Sequence, residues 1–148
     1  MIQLKEINKD NVVKACFLTT NKDGKATANE EFVAGNALSI AQSKYEPNTL
    51  VKAIYDDETM VGFAMYGIDE HDECWIIRFM IDHKFQGKGY GKNAFQLIVD
   101  DMINLYHPKE IKISIEPENA LAKKLYEKAG FVDTKIIEDD ELVLLYTL

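Results

Sequence analysis

Apolar and polar positions alternate along this chain in short runs. Strands are predicted where β-branched and aromatic residues alternate with polar ones or form a short apolar block. The predicted strands are Ile2–Ile7, Thr49–Tyr55, Met60–Ile68, Cys74–Ile81, Glu110–Ile115, Phe131–Ile137 and Leu142–Leu148. Short acidic turns join the second, third and fourth of these runs, which predicts an antiparallel meander.

Helical spacing of apolar residues predicts four helices between the strands. Their predicted bounds are Asn8 or Asp10 to Leu18, Thr27 to Tyr45, a glycine-rich segment to His107, and Ala120 to Ala129. Thr27 and Glu30 form a capping-box pattern at the start of the second helix, and Gly35 weakens its middle. The order β-α-α-β-β-β-α-β-α-β-β predicts a single domain, residues 1–148, with one mixed sheet of α/β or α+β type.

Composition narrows the class of protein further. The chain has 148 residues, is 47% hydrophobic and carries a formal net charge of −8. Such a negative charge, with Arg78 as the single arginine, argues against nucleic acid as a partner. No apolar run is long enough to span a bilayer, and no export signal is visible, so we expect no membrane association. Cys16 and Cys74 lack metal or disulfide spacing, so no metal site is expected and a reducing cytoplasm fits.

Acidic residues are concentrated in the middle of the chain. No lysine or arginine occurs between Lys52 and Arg78, whereas seven acids do. They are Asp56, Asp57, Glu58, Asp69, Glu70, Asp72 and Glu73. A negative potential there favours a cationic ligand, although the same acids would also simply solubilise two hairpin tips.

The segment Gln86–Lys92 carries the first chemical signal. Glycines at 87, 89 and 91 allow close approach of the backbone, and free N–H groups at a helix start bind phosphates. Lys88 and Lys92 add positive charge. A dinucleotide-binding fold is disfavoured, because its glycine motif follows a parallel βαβ start, and here an antiparallel meander precedes the loop.

Two blocks of sequence resemble the GNAT acetyltransferase superfamily. Gln86-x-x-Gly89-x-Gly91 matches the signature Q/R-x-x-G-x-G/A, and Asn119 to Phe131 is similar to the block N-x-x-A-x-x-x-Y-x-x-x-G-F. The strands Gly62–Gly67 and Trp75–Asp82 look like those of bacterial spermine/spermidine acetyltransferases within that superfamily. The resemblance spans essentially the whole chain.

This resemblance implies an acetyl-CoA site between strands Trp75–Ile81 and Glu110–Ile115, which splay apart. Tyr126 matches the tyrosine that protonates the departing thiolate. The positions implied to contact acetyl-CoA are Phe79, Met80, Ile81, Gln86, Gly87, Lys88, Gly89, Tyr90, Gly91, Lys92, Asn119, Ala122, Lys123, Lys124 and Tyr126. Backbone of the strand would pair with the pantetheine arm, and Lys123 or Lys124 would meet the 3′-phosphate.

The acceptor is expected to be a small cationic amine, such as spermidine or spermine. Candidate substrate residues are Glu30, Glu31, Glu73, Trp75 and Glu116, each of which also has an ordinary structural explanation. Positions that carry a catalytic carboxylate in some polyamine acetyltransferases are Ile77 and Arg78 here, and Arg78 on an apolar strand needs a carboxylate partner.

Three further interpretations remain open at the level of sequence. Another amine, such as an aminoglycoside, a peptide N-terminus or a lysine, is an alternative acceptor, and a CoA-binding module without turnover is an alternative function. Relatives often dimerise through C-terminal strands. Val143–Tyr146 lacks clean alternation, which indicates a strand buried on both faces and fits a homodimer.

Overall fold

The computed structural model describes all residues from 1 to 148. Its strands are β1 (Ile2–Glu6), β2 (Thr49–Asp56), β3 (Thr59–Ile68), β4 (Cys74–Ile81), β5 (Glu110–Ile115), β6 (Val132–Glu138) and β7 (Glu141–Thr147). Its helices are α1 (Val12–Phe17), α2 (Asn36–Ser43), α3 (Tyr90–Tyr106) and α4 (Ala120–Lys128). The predicted order of elements is confirmed.

All strands belong to one mixed sheet with the order β1-β2-β3-β4-β5-β7-β6. Neighbouring strands are antiparallel except β4 and β5, which are parallel. Successive side chains of β3 enter opposite cores: Tyr66 belongs to the larger core with α3 and α4, and Met65 to the smaller core with α1. Because both faces of β3 are covered, its sequence is a near-continuous apolar run.

The pairing of β4 with β5 is short. It joins Cys74 to Ile111, Trp75 to Lys112 and Ile76 to Ile113, and then ends. A bulge opposite Met65 and Tyr66 leaves Ile77 of β4 as an extra residue, and bulges increase local twist. The backbone from Ile77 to Ile81 therefore has no ladder partner on its β5 side, and the two strands diverge as the family resemblance implied.

The second predicted helix is wrong over its first half, because it begins at Asn36 and not at Thr27. The backbone N–H of Thr27 does donate to the Glu30 carboxylate at 3.2 Å, as a capping box would. However, Thr19 and Thr20 also donate to that carboxylate, at 2.6 to 2.8 Å. These bonds come from residues 10 and 11 positions earlier in the chain and hold the segment as a folded loop, and Gly35 becomes the N-cap of α2.

The first helix is shorter than predicted, since it starts at Val12. Asn8 accepts hydrogen bonds from the backbone of Asp10 and Asn11, and thereby forms a turn before the helix.

At the other end of the chain, β7 lies between β5 and β6 and is not an edge strand. Leu142, Val143 and Leu144 are all buried in succession, so both faces of β7 are covered there, which accounts for the lack of alternation. None of the helices is both long and apolar enough to cross a bilayer.

Candidate active site

A cleft of about 1230 Å³ opens where β4 and β5 diverge. One wall is the free edge of β4, and the other is formed by the end of β5 and by α4. Its closed end lies at the last strand pair, Ile76 with Ile113. At its open end the chain leaves β4 at Ile81 and enters the loop Gln86–Lys92, which leads into α3.

The glycine loop exposes a row of backbone donors. No backbone N–H from Gln86 to Lys92 donates a hydrogen bond within the chain. Gly87 and Gly89 have φ of +76° and +85°, and a Cβ added at either would meet nothing within 4 Å. Gly89 is the N-cap of α3, so the partial positive charge of a 17-residue helix adds to these donors. The residues present therefore fit a phosphate-bearing ligand.

Side chains of the loop are arranged around this row of donors. Gln86 turns back to donate to the carbonyl of Ile81 at 3.0 Å, which fixes the start of the loop. The Lys88 ammonium lies 5.7 Å from the centre of the Phe85 ring, and Lys92 is exposed. Tyr90 donates its hydroxyl to Asp56 at 2.9 Å, and this hydrogen bond raises the pKa of Tyr90. Tyr90 thus anchors α3 and points away from the cleft lining.

The free edge of β4 and the start of α4 face each other across the cleft. Phe79, Met80 and Ile81 all line it. Asn119 is the N-cap of α4, and its side-chain oxygen accepts from the N–H of Ala122 at 3.2 Å. Its amide nitrogen makes no bond within the chain and is available to a ligand. Ala122 also lines the cleft.

The two lysines of α4 differ. Lys123 pairs with Asp133 at 2.9 Å, and the pKa of Asp133 is held below its usual range by Lys123 and then Lys135. Lys124 is exposed, makes no salt bridge and is the freer of the two.

Tyr126 is the one tyrosine whose side chain lines the cleft. Its ring is buried and stacks on Phe95, with centroids 4.6 Å apart. Burial raises the pKa of Tyr126, and its hydroxyl forms no hydrogen bond within the chain. A tyrosine in this state stays protonated at neutral pH and has its proton free for a ligand.

The predicted substrate residues separate into two groups. Glu31 and Glu116 line the cleft. Glu30 is 7% exposed and is fully engaged with Thr19, Thr20 and Thr27, so it shapes the loop and does not face the cleft. Glu73 binds Lys112 at 2.9 Å and accepts from the Trp75 indole at 3.2 Å, outside the cleft lining.

The central acids do not form one surface either. Asp56, Asp57 and Glu58 sit at the β2–β3 turn, whereas Asp69 to Glu73 sit at the β3–β4 turn. The ten residues of β3 separate these turns by roughly 30 Å at about 3.3 Å per residue. Asp56 and Asp57 also accept hydrogen bonds from the amino group of Met1.

Three residues of the cleft were missed by sequence reasoning or left without a role: Arg78, Ser114 and Glu141. Arg78 has no carboxylate oxygen within 4.0 Å, so the expected ion pair is absent. It donates from Nη1 to the carbonyl of Ile77 at 2.9 Å, and its buried Nε has no partner. Burial lowers the pKa of Arg78, and the charge of Glu141 opposes that effect. Ser114 donates its hydroxyl to Glu141.

No local signal could have identified Glu141, which follows an acidic turn and resembles its neighbours in sequence. Its contact with Ser114, which pairs with Val143 two residues further along β7, depends on the pairing of β5 with β7. Alternation did offer a hint for Ser114, since it lies between Ile113 and Ile115, which enter the larger core. Ser114 therefore points to the opposite face.

Comparison with known proteins bears on the fold and the family of this chain. Among curated proteins, the spermine/spermidine N(1)-acetyltransferase of Bacillus subtilis is 40% identical over 85 residues, covering 53% of this chain and 56% of that protein. The chain thus spans about half the length of the curated relatives it matches. Among solved structures, the PaiA N-acetyltransferase of Thermoplasma acidophilum in complex with coenzyme A has a TM-score of 0.71 at 14% identity, covering 100% and 99% of the two chains.

The spermidine N-acetyltransferase of Vibrio cholerae in complex with CoA and spermine has a TM-score of 0.73 at 17% identity, covering 97% and 92%. At such identities these structures establish the fold alone. The model of the acetyltransferase (GNAT) family matches residues 15–131, which include the diverging strands, the glycine loop and α4. The chain belongs to the GNAT acetyltransferase family.

Proposed function

We propose that this chain is an acetyl-CoA-dependent N-acetyltransferase that acetylates a primary amine of a polyamine such as spermidine or spermine. The observation that carries this proposal is the single cleft that joins a row of free backbone donors at one end to a buried, protonated tyrosine. Acetyl-CoA supplies an activated acyl thioester. The chain has to bind it, to position an amine and to move protons.

The donor half of the cleft comprises the glycine loop, the free edge of β4 and the start of α4. Free N–H groups of the loop suit the pyrophosphate. The β4 edge from Ile77 to Ile81 offers main-chain partners to an extended amide-containing arm, in the manner of an added strand. The free amide nitrogen of Asn119 faces it from α4.

Tyr126 supplies the proton that the departing thiolate needs. Its raised pKa keeps the phenol protonated at neutral pH, and its unbonded hydroxyl has no competing partner. General acids of this kind contribute roughly 10²- to 10⁴-fold to a rate.

The acceptor half of the cleft comprises the loop from Thr20 to Ala34, Arg78 and the ends of β5 and β7. Four carboxylates line this half, namely Asp23, Glu31, Glu116 and Glu141. Two cations, Lys22 and Arg78, line it too. A net negative lining attracts polycationic amines. The similarity to a spermine/spermidine acetyltransferase over about half the chain supports the same acceptor class.

An amine-panel assay with mass detection tests the proposal. The panel contains spermidine, spermine, an aminoglycoside, a peptide with a free N-terminus and a lysine peptide, with acetyl-CoA as donor. Acetylated spermidine or spermine with matching thiol release is the expected result. Acetylation of another amine while polyamines stay inert would overturn the acceptor. Binding of acetyl-CoA by calorimetry without turnover of any amine would instead indicate a CoA-binding module.

A further inference from the structure

The acceptor half contains one carboxylate that accepts a hydrogen bond from a residue of a neighbouring strand and still has one oxygen without a partner. Glu141 begins β7, lines the cleft, and accepts the Ser114 hydroxyl through Oε2. Its Oε1 has no partner within the chain. By contrast, Glu31 is an exposed loop residue and Glu116 lies beyond the end of β5, and neither makes a side-chain hydrogen bond.

The position of this carboxylate along the cleft is set by strand register. The strands close at Ile76 and Ile113, and Ser114 is the first residue of β5 beyond that point. Ser114 pairs with Val143, two residues from Glu141 on the same strand face. This register places the backbone of Glu141 level with Glu116, two residues beyond Ser114, and the hydrogen bond from Ser114 draws its carboxylate back towards the closed end on the β5 side. The glycine loop lies at the other end, beyond Ile81.

A thioester tethered to this loop reaches the same place. From Ile81 back to Ile77 the free edge of β4 spans roughly 13 Å at about 3.3 Å per residue. An extended arm held by its phosphates at the loop and paired along this edge brings its terminal thioester to the closed end. Ser114, one residue beyond the last strand pair, and the Glu141 carboxylate that it holds line the cleft, as does Tyr126.

The positive charge of Arg78 restricts where a cation can bind near the closed end of the cleft. It enters the cleft from β4, has no carboxylate within 4.0 Å, and leaves its buried Nε without a partner. A bound ammonium is repelled by this guanidinium and attracted by Glu141. The two charges together direct the ammonium to the β7 side of the cleft.

We infer that Glu141 is a catalytic residue, which binds the reacting ammonium of the acceptor through Oε1 and accepts its proton, with Ser114 as its positioning residue. This inference rests on the proposed acetylation of an amine. In the step, the ammonium gives one proton to Glu141 and the neutral nitrogen attacks the thioester carbonyl. The C–N bond forms, the C–S bond breaks, and the thiolate takes a proton from Tyr126, which recovers one from the amide nitrogen through solvent. An ammonium and a thioester thus give an amide, a thiol and one proton.

The substitution Glu141→Gln tests the role of this carboxylate. The amide keeps size and can keep the Ser114 contact, but it cannot take a proton, so kcat/KM for the amine falls roughly a hundredfold. Acetyl-CoA affinity, measured by calorimetry, stays within about twofold of the parent, which also shows that the variant is folded. Glu138→Gln is the matched control, because Glu138 faces Glu141 across the β6–β7 hairpin, outside the cleft lining, and this variant should keep full activity.

The pH dependence separates a base from a mere binding group. The ionisable groups that line the cleft together with Glu141 are Lys22, Asp23, Glu31, Arg78, Glu116 and Tyr126, and Glu138 of β6 pairs with Glu141. These groups are the same in the parent and in Glu141→Gln. The variant depends on amine that is already neutral in solution, and a primary amine has a pKa of about 10. Its deficit should therefore shrink about tenfold for each pH unit from about pH 7 to about pH 9.

The positioning role of Ser114 has its own readout. Ser114→Ala should lower kcat about tenfold with a smaller effect on KM, because Oε2 loses its fixed donor. Ser114→Thr, which keeps a hydroxyl, should recover most of this loss, and Ser114→Ala should add nothing in the Glu141→Gln background.

The outcomes distinguish the two proposals. Turnover of polyamines by Glu141→Gln within threefold of the parent at pH 7 overturns the role of Glu141 and leaves the acceptor class standing. If another amine is the substrate and Glu141→Gln loses its turnover, the polyamine is wrong and Glu141 is retained. If the parent turns over no amine and binds none in its CoA complex, both proposals are overturned.

Discussion

The donor half of the cleft comes from three contiguous stretches of chain, the backbone edge Ile77–Ile81, Gln86–Lys92 and Asn119–Tyr126, whereas the acceptor half is assembled from single residues far apart in the chain. Arg78, Ser114 and Glu141 come from three different strands, and Glu31 comes from a loop near the N-terminus. The donor half uses backbone N–H groups and a helix start, which depend on local conformation. The acceptor half uses side-chain charges, whose meeting depends on strand register. Sequence motifs therefore mark stretches of the first half, whereas no motif marks the residues of the second.

Removing the phenol of Tyr126 should cause the largest change within the donor half. Tyr126→Phe keeps the stacking on Phe95 and removes the proton donor, so kcat should fall roughly 100-fold or more. Acetyl-CoA affinity should stay near normal by calorimetry. Tyr146→Phe is the control, because Tyr146 packs on Phe131 outside the cleft lining. Unchanged turnover in Tyr126→Phe would exclude this residue from the mechanism.

A single methyl group on the glycine loop tests whether the backbone donors bind phosphate. Gly89→Ala places a Cβ where no atom of the chain lies within 4 Å, so the steric conflict arises only with a ligand. We expect acetyl-CoA to bind about tenfold more weakly. An alanine at a positive φ costs about 1–2 kcal/mol of backbone strain. Gly24→Ala is the control, because Gly24 has a φ of +76° and its alanine variant carries the same strain. Equal losses of affinity in both variants would attribute the effect to strain.

The acceptor half should depend on the carboxylate that holds its loop. Burial raises the pKa of Glu30, but hydrogen bonds from Thr19 and Thr20 outweigh it, so the pKa lies below its usual value. Glu30→Gln should lower the free energy of unfolding by about 2 kcal/mol and raise KM for the amine several-fold, with acetyl-CoA affinity unchanged. Glu31→Gln, which loses a charge without a hydrogen-bond partner, should leave the unfolding free energy near that of the parent.

The Glu30 carboxylate also makes the free energy of unfolding depend on pH. Because the folded pKa of Glu30 is depressed, its contribution is present above the unfolded value of about 4.3 and is lost as pH falls through the lower folded pKa. The difference in unfolding free energy between the parent and Glu30→Gln should therefore narrow below about pH 4. A difference that persists at lower pH would mean that the Gln variant fails for a reason other than charge.

The smallest expected effect separates the two lysines of α4. Lys124→Gln should weaken acetyl-CoA binding about threefold, and the difference should vanish with 3′-dephospho-CoA, because a screened surface charge contributes little. Lys123→Gln should instead remove the ion pair between Lys123 and Asp133, whose charged atoms lie 2.9 Å apart. A threefold loss in Lys123→Gln that also depends on the 3′-phosphate would reverse this assignment.

Local patterns failed where a distant group competed for the same partner. One of the two bonds of a capping box forms, from the Thr27 N–H to the Glu30 carboxylate, but the Glu30 N–H donates to the Val33 carbonyl and no helix follows. Thr19 and Thr20, which lie outside the segment, donate hydrogen bonds to the Glu30 carboxylate. The resulting loop brings Gly35 so close to Thr27 that a Cβ at position 35 would lie 2.0 Å from the Thr27 carbonyl oxygen. A propensity of a few tenths of a kcal/mol per residue does not outweigh several such bonds.

The sequence by itself determined the order of strands and helices, the glycine loop and the Asn119–Tyr126 block, because period-2 and period-3.6 patterns and positive-φ glycines are local properties. Only the tertiary structure decided that β4 and β5 part after Ile76, that the central acids lie at opposite ends of β3, and that Glu141 meets Ser114. Strand register determines which of these residues come into contact, and register depends on pairing between segments far apart in the chain.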